Sequence, residues 1–163
     1  MGQSDSNHLI VPSDSPQTTR SLGQHIGVAL EPGTVIALNG TLGSGKTTLT
    51  QGLAQGAEVD SDSVVSPTFT IGIPYAGRIP IFHLDAYRIK SPEEVDELGL
   101  DELVESGVSL VVEWAQRIAE LLPPIDLTIE FTPCGDQQRQ IQLKAGSERG
   151  HVVLKAVQQA IFG

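Results

Sequence analysis

The chain has 163 residues, 20 acidic and 10 basic side chains, a formal net charge of −10 and one cysteine. That length suits one domain whose core needs no disulfide or structural metal, and a lone cysteine excludes an intrachain disulfide or a multi-cysteine zinc cage and points to a reducing compartment. The acid excess argues against a nucleic-acid binder, and no run approaches the roughly 18 apolar residues of a membrane span. The N-terminus lacks the basic and then apolar pattern of a signal peptide. Residues 1–16, rich in Ser, Asp and Pro, are expected to form a flexible tail ahead of a single domain over 17–163. Leu22, Ile26, Ala29 and Leu30 mark one helix face, with Thr19 or Ser21 as its cap and Pro32-Gly33 as its stop. Residues 34–38 (TVIAL) read as a strand buried on both faces, hence central and parallel. A glycine-rich turn leads into a helix over about 46–55. Pro67 forbids an ordinary central strand at 64–70, and residues 71–73 and 79–84 read as a hairpin-like pair. Ser91-Pro92-Glu93-Glu94 starts a helix with a capping box completed by Glu94. Helical character runs, broken near Gly99, to Ser106-Gly107. A second buried strand spans 108–112 and a short helix 115–122. Residues 126–131 and 139–143 alternate as an antiparallel edge hairpin, and a last helix covers about 148–162. The predicted class is α/β in three layers, with a mostly parallel central sheet and that edge hairpin.

Gly40-Thr41-Leu42-Gly43-Ser44-Gly45-Lys46-Thr47 fits G-x-x-x-x-G-K-[ST], the phosphate-binding loop of P-loop NTPases, between a buried strand and an amphipathic helix. Glycines let backbone N–H groups turn around phosphate oxygens, and the helix N-terminus adds partial positive charge. The candidate nucleotide set is Gly40, Leu42, Gly43, Ser44, Gly45, Lys46, Thr47 and the next helical residue, Thr48. Lys46 is expected to reach the β- and γ-phosphates and Thr47 to ligate Mg²⁺. Such a loop needs acids at strand ends. Glu113 directly follows the buried run 110–112, and Asp85 follows 79–84 in the same way. Both are candidate catalytic and metal-binding groups, although each also reads as a turn or cap carboxylate. Thr68 is a candidate γ-phosphate sensor. Trp114 is either a nucleotide-side aromatic or core. His83 shares strand parity with Asp85 and reads best as a hydrogen-bonded structural histidine. Arg88 and Arg117 are candidate charge stabilisers, and Cys134 has no evident base.

Together, the glycine loop, Val65-Ser66-Pro67-Thr68-Phe69-Thr70, Asp85-Ala86-Tyr87-Arg88 and Glu113-Trp114 resemble the TsaE family over about residues 18–145. These are small bacterial ATPases of the tRNA threonylcarbamoyladenosine machinery. The resemblance implies ATP/ADP and Mg²⁺ as cofactors, with phosphate and metal at Lys46 and Thr47. It implies Asp85 and Glu113 at the metal and attacking water, Thr68 in a switch-like segment and Trp114 near the nucleotide. It implies a cytoplasmic protein that docks on a TsaD–TsaB pair, is a weak ATPase alone and holds no tRNA itself. Thr41 stands where the family commonly has an acid, and Ala86 where leucine is commoner; neither is a phosphate or metal ligand. Two other readings fit a P-loop: a small-molecule kinase, and a non-catalytic nucleotide-sensing module. Glu93, Glu94, Asp96, Glu97, Asp101, Glu102 and Glu105 form an acidic run with no base between them, either a solvated helix face or a docking surface.

Overall fold

A computed structural model describes residues 7–41, 43–59, 71–136 and 138–163. In chain order the elements are β1 (His8–Ser13), α1 (Pro16–Ala29), β2 (Val35–Asn39), α2 (Lys46–Gly56), β3 (Gly72–Tyr75), β4 (Ile81–Asp85), α3 (Pro92–Leu98), α4 (Leu100–Glu105), β5 (Ser109–Glu113), β6 (Leu127–Pro133), β7 (Arg139–Ala145) and α5 (Glu148–Phe162). Short 3₁₀ turns follow β4 at Ala86–Arg88 and β5 at Ala115–Leu121. The seven strands form one sheet in the order β1-β7-β6-β2-β5-β4-β3.

The continuous apolar runs become the centre of that sheet. β2 lies between β5 and β6, and β5 lies beside β4, all parallel. Antiparallel strands flank this core on both sides: β7 and then β1 beyond β6, and β3 beyond β4. The sheet is therefore mixed, rather than mostly parallel with one edge hairpin. The β6–β7 hairpin forms as expected but does not lie at the edge, because β1 covers it.

β1 also corrects the expectation of a flexible tail over residues 8–16. Leu9 and Val11 alternate inward and are buried, a period-two pattern that a half-covered strand requires. β1 pairs with β7 from His8↔Lys144 to Ser13↔Arg139. The first helix begins earlier than the sequence suggests. Ser15, not Thr19 or Ser21, is its cap, with its hydroxyl accepting from the Thr18 N–H at 3.2 Å and Pro16 in the first turn. At the third helix Ser91 makes no side-chain cap bond, and Glu94 reaches one residue further back to the Lys90 N–H at 2.6 Å.

Strand alternation divides the core in two. Ile36, Leu38 and Val111 pack with α1, α2 and α5 on one face. Val35, Ala37, Leu110 and Val112 pack with α3, α4 and the 115–121 turn on the other. On the first face α1 and α2 meet backbone to backbone. A Cβ on Gly23 would run into the Leu49 carbonyl oxygen and lie 2.8 Å from the Leu53 nitrogen. A Cβ on Gly27 would run into the Leu53 carbonyl oxygen. Bare glycines thus set how close α2 sits to α1. Among the described residues each outermost strand carries a proline, Pro12 in β1 and Pro74 in β3. No helix among the described residues is long and apolar enough to cross a membrane.

Candidate active site

The glycine-rich loop joins β2 to α2. Gly43 and Gly45 have φ of 77° and 111°, values that side-chain-bearing residues avoid. A Cβ on Gly40 would sit 2.7 Å from Ser44 Oγ and 3.0 Å from Phe131 Cβ, so close packing also demands a bare backbone there. Arg139, the first residue of β7, clamps the loop from outside. Its Nε donates to the Ser44 carbonyl at 2.8 Å and its Nη2 to the Gly43 carbonyl at 3.1 Å. In a trans peptide the C=O and N–H point oppositely, so the Gly45 N–H faces away from Arg139. Among the described residues Ser44 Oγ and Asn39 Oδ1 are buried without a partner, polar atoms that a ligand or its water would satisfy.

Lys46 opens α2 and is only 5% exposed. Its Nζ donates to the Gly40 carbonyl at 2.6 Å and lies 4.1 Å from the centre of the Trp114 ring. Burial pushes its ammonium below the ordinary lysine value, while the charges of Glu113 and Asp85 oppose that shift. Thr47 and Thr48 follow on the first turn of α2, both half-buried.

The two acids end adjacent parallel strands. Asp85 of β4 is the register partner of Glu113 of β5. The alternation that turns Ile81 and Val111 toward α1 and α2 turns Asp85 and Glu113 to that same face, where the loop lies. Asp85 Oδ1 accepts from the Tyr87 N–H at 3.0 Å. Burial raises its carboxyl above the ordinary aspartate value; the Tyr87 N–H lowers it and the nearby Glu113 charge raises it further. Glu113 is buried, and its Oε2 is 2.6 Å from Nε2 of the fully buried His83. His83 is therefore hydrogen-bonded, as its strand parity suggested, but its partner is one of the two candidate acids.

Trp114 follows with φ of 61°, a left-handed conformation that costs a non-glycine residue energy. That backbone lets the ring cover Lys46. The ring also meets Tyr87, centre to centre at 5.2 Å, and the Arg117 guanidinium lies 5.0 Å from the Tyr87 ring. Trp114 is half-buried and borders the second core cluster, so its core reading holds in part. Arg88 acts on Asp85 by its charge. Leu42, Thr68 and the 64–70 segment lie outside the described residues.

The oxygen donors suit a hard cation. Thr47, Asp85 and Glu113 offer a hydroxyl and two carboxylates, the groups that Mg²⁺ takes alongside phosphate and water. Among the described residues no group of three or more His, Cys, Asp or Glu side chains could hold a metal ion by itself. Sequence reasoning missed Arg139, which lies 95 positions from Ser44 and carries no local signal. It also missed the His83–Glu113 contact, for which shared strand parity was the only hint.

Three comparisons agree. The family model described as "Threonylcarbamoyl adenosine biosynthesis protein TsaE" matches residues 13–141. The chain is 38% identical over 129 residues to a "tRNA threonylcarbamoyladenosine biosynthesis protein TsaE" of Treponema pallidum, covering 79% of this chain and 95% of that one. It is 39% identical over 136 residues to the protein of the same description from Bacillus subtilis, covering 83% and 84%. The crystal structure of Bacillus subtilis YdiB superposes with a TM-score of 0.78 at 31% identity, over 94% of this chain and 95% of that one.

Proposed function

The chain belongs to the TsaE family, and from that premise we propose that it is a Mg²⁺-dependent P-loop ATPase serving threonylcarbamoyl modification of tRNA. Its partner in this reading is a TsaD–TsaB-type protein pair in the cytoplasm. The observation that carries the proposal is the setting of Lys46. A buried ammonium sits at the mouth of a glycine cradle, held by the Gly40 carbonyl and the Trp114 ring, with two strand-end carboxylates on the same face. A buried cation in such a place calls for an anionic ligand.

The chemistry follows from these residues. The loop N–H groups and Lys46 bind and align the β- and γ-phosphates, and Lys46 spreads the charge that develops as the terminal bond breaks. Thr47 and Asp85 are the residues that would hold Mg²⁺, which would supply positive charge to the phosphates when bound. Glu113, whose Oε2 is fixed by His83, orients the attacking water. Trp114 screens Lys46 from solvent. The net charge of −10 suits a subunit that meets protein partners and leaves the tRNA to them.

The test is phosphate release from ATP with and without a saturating TsaD–TsaB pair. Stimulation by the pair, abolished in Lys46→Ala, supports the reading. No stimulation at saturation refutes the ATPase-with-partner reading and favours a sensing module. Faster phosphoryl transfer to a metabolite than to water favours a kinase.

A further inference from the structure

We propose that Tyr87 and Arg117 are positioning residues: they hold the Trp114 indole over the Lys46 ammonium and so keep that charge shielded from water. The proposal rests on the ATPase reading above and extends it to two residues outside the loop and the acids. The β4–β5 register makes Asp85 and Glu113 partners. The 3₁₀ turns that follow them, Ala86–Arg88 and Ala115–Leu121, therefore lie against each other. Tyr87 sits in the first turn; Trp114 caps the second, which carries Arg117.

Four groups then stack from the surface inward. The Arg117 guanidinium lies 5.0 Å from the centre of the Tyr87 ring. The Tyr87 ring meets the Trp114 ring at 5.2 Å and 55°, within the tilted geometry that aromatic pairs prefer. The Trp114 ring in turn lies 4.1 Å from Lys46 Nζ, a cation–π distance. Tyr87 is tied at both of its peptide groups. Its N–H donates to Asp85 Oδ1 at 3.0 Å, and its carbonyl accepts from Arg117 Nη1 at 3.2 Å. Yet Tyr87 is 59% exposed, so burial in the core does not account for where its ring stands. The Trp114 backbone is pinned as well. Its N–H donates to the Leu38 carbonyl at 3.1 Å, and its carbonyl accepts from the Arg117 N–H at 3.0 Å. Those bonds hold the left-handed turn at Trp114 but leave the indole to rotate about its side-chain bonds, and the Tyr87 ring stands where it restrains that rotation. Arg117, a candidate charge stabiliser from the sequence, here commits its guanidinium to Tyr87. An indole against one side of an ammonium displaces water there, and a charge in a drier site does more for charge developing on a phosphoryl group. An aromatic contact of this kind biases a ring's position about two- to tenfold.

The test has two arms on the full chain. Trp114 is the only tryptophan, so acrylamide quenching of the nucleotide-free chain reads its exposure alone. Steady-state phosphate release from ATP with Mg²⁺ and a saturating partner pair reads the consequence. Tyr87→Ala and Arg117→Ala are expected to raise the quenching constant about twofold or more and to lower kcat about three- to tenfold, with KM within about twofold. Tyr87→Phe keeps the ring and the backbone carbonyl and matches the wild type in both arms. So does Gln116→Ala, an exposed neighbour on the same turn. Unchanged quenching in Tyr87→Ala and Arg117→Ala overturns the positioning role. Raised quenching with kcat unchanged overturns it too, as does a Tyr87→Phe variant as impaired as Tyr87→Ala. These three results leave the ATPase reading standing. A wild-type chain that releases no phosphate overturns that reading and this proposal with it. If Tyr87→Ala does not fold, Arg117→Ala decides, because its side chain is exposed.

Discussion

Gly23→Ala tests how the fold positions the site. Gly23 faces α2 across a contact with no side chain between the helices. A methyl there meets the Leu49 carbonyl oxygen and comes within 2.8 Å of the Leu53 nitrogen and 3.2 Å of the Gly52 carbonyl carbon. All three atoms are backbone in the middle of α2, so no rotamer change relieves the clash and the helices must separate. Overpacking of this kind costs about 3 kcal/mol, the upper part of the usual range. Alanine returns about 1 kcal/mol through better helix propensity. The net loss is about 2 kcal/mol, which for a domain of this size lowers the Tm by about 4–8 °C. Circular dichroism melting checks it, with Val28→Ala as the control, because Val28 is 68% exposed on the same helix and should stay within about 0.5 kcal/mol. Separation also carries the start of α2, and hence Lys46, away from the acids, so ATP affinity falls in the folded variant. An unchanged or raised Tm for Gly23→Ala refutes the contact.

Three further predictions follow from the charges. Lys46→Met raises the Tm of the nucleotide-free protein near neutral pH while removing ATP binding. Burial disfavours the ammonium, so its cost is felt below the folded pKa and fades as pH rises toward the ordinary lysine value; melting curves against pH read this directly. His83→Phe leaves a buried carboxylate oxygen of Glu113 without its partner. A hydrogen bond to a charged group is worth about 1.5–3 kcal/mol, so kcat falls about ten- to hundredfold with a smaller change in KM, measured by steady-state phosphate release. Asp85 has a raised pKa, so its contribution to stability is fully present below the unfolded value and is lost as pH rises through the folded one. Asp85→Asn therefore flattens the stability profile of the nucleotide-free chain across the acidic range just above the ordinary aspartate pKa.

Local chemistry was legible in the sequence and distant pairing was not. The glycine spacing, Lys46 and Thr47 act within one turn of chain, so the motif displays them. The runs at 34–38 and 108–112 are apolar because both faces of β2 and β5 are covered. The direct partnership of Asp85 with Glu113, and of His83 with Glu113, depends on the β4–β5 register, which no local pattern states. β1 was hidden for a different reason. Leu9 and Val11 do alternate, but Pro12 and the Ser, Asp and Pro residues after it read as punctuation. Ser15-Pro16 is in fact a cap followed by a proline in the first helical turn, a start signal that becomes visible once the preceding residues are seen as a strand.

The prolines at the two rims limit how this molecule meets others. An outermost strand presents its free N–H and C=O groups to any extended chain alongside. Pro12 and Pro74 each remove one donor from that row, so neither rim offers an unbroken template for strand addition. Helix surfaces and the loop-bearing end of the sheet are the other places where a protein partner could seat. The second choice would set its side chains beside Tyr87 and Arg117, close enough to sense or alter what Lys46 and Trp114 hold.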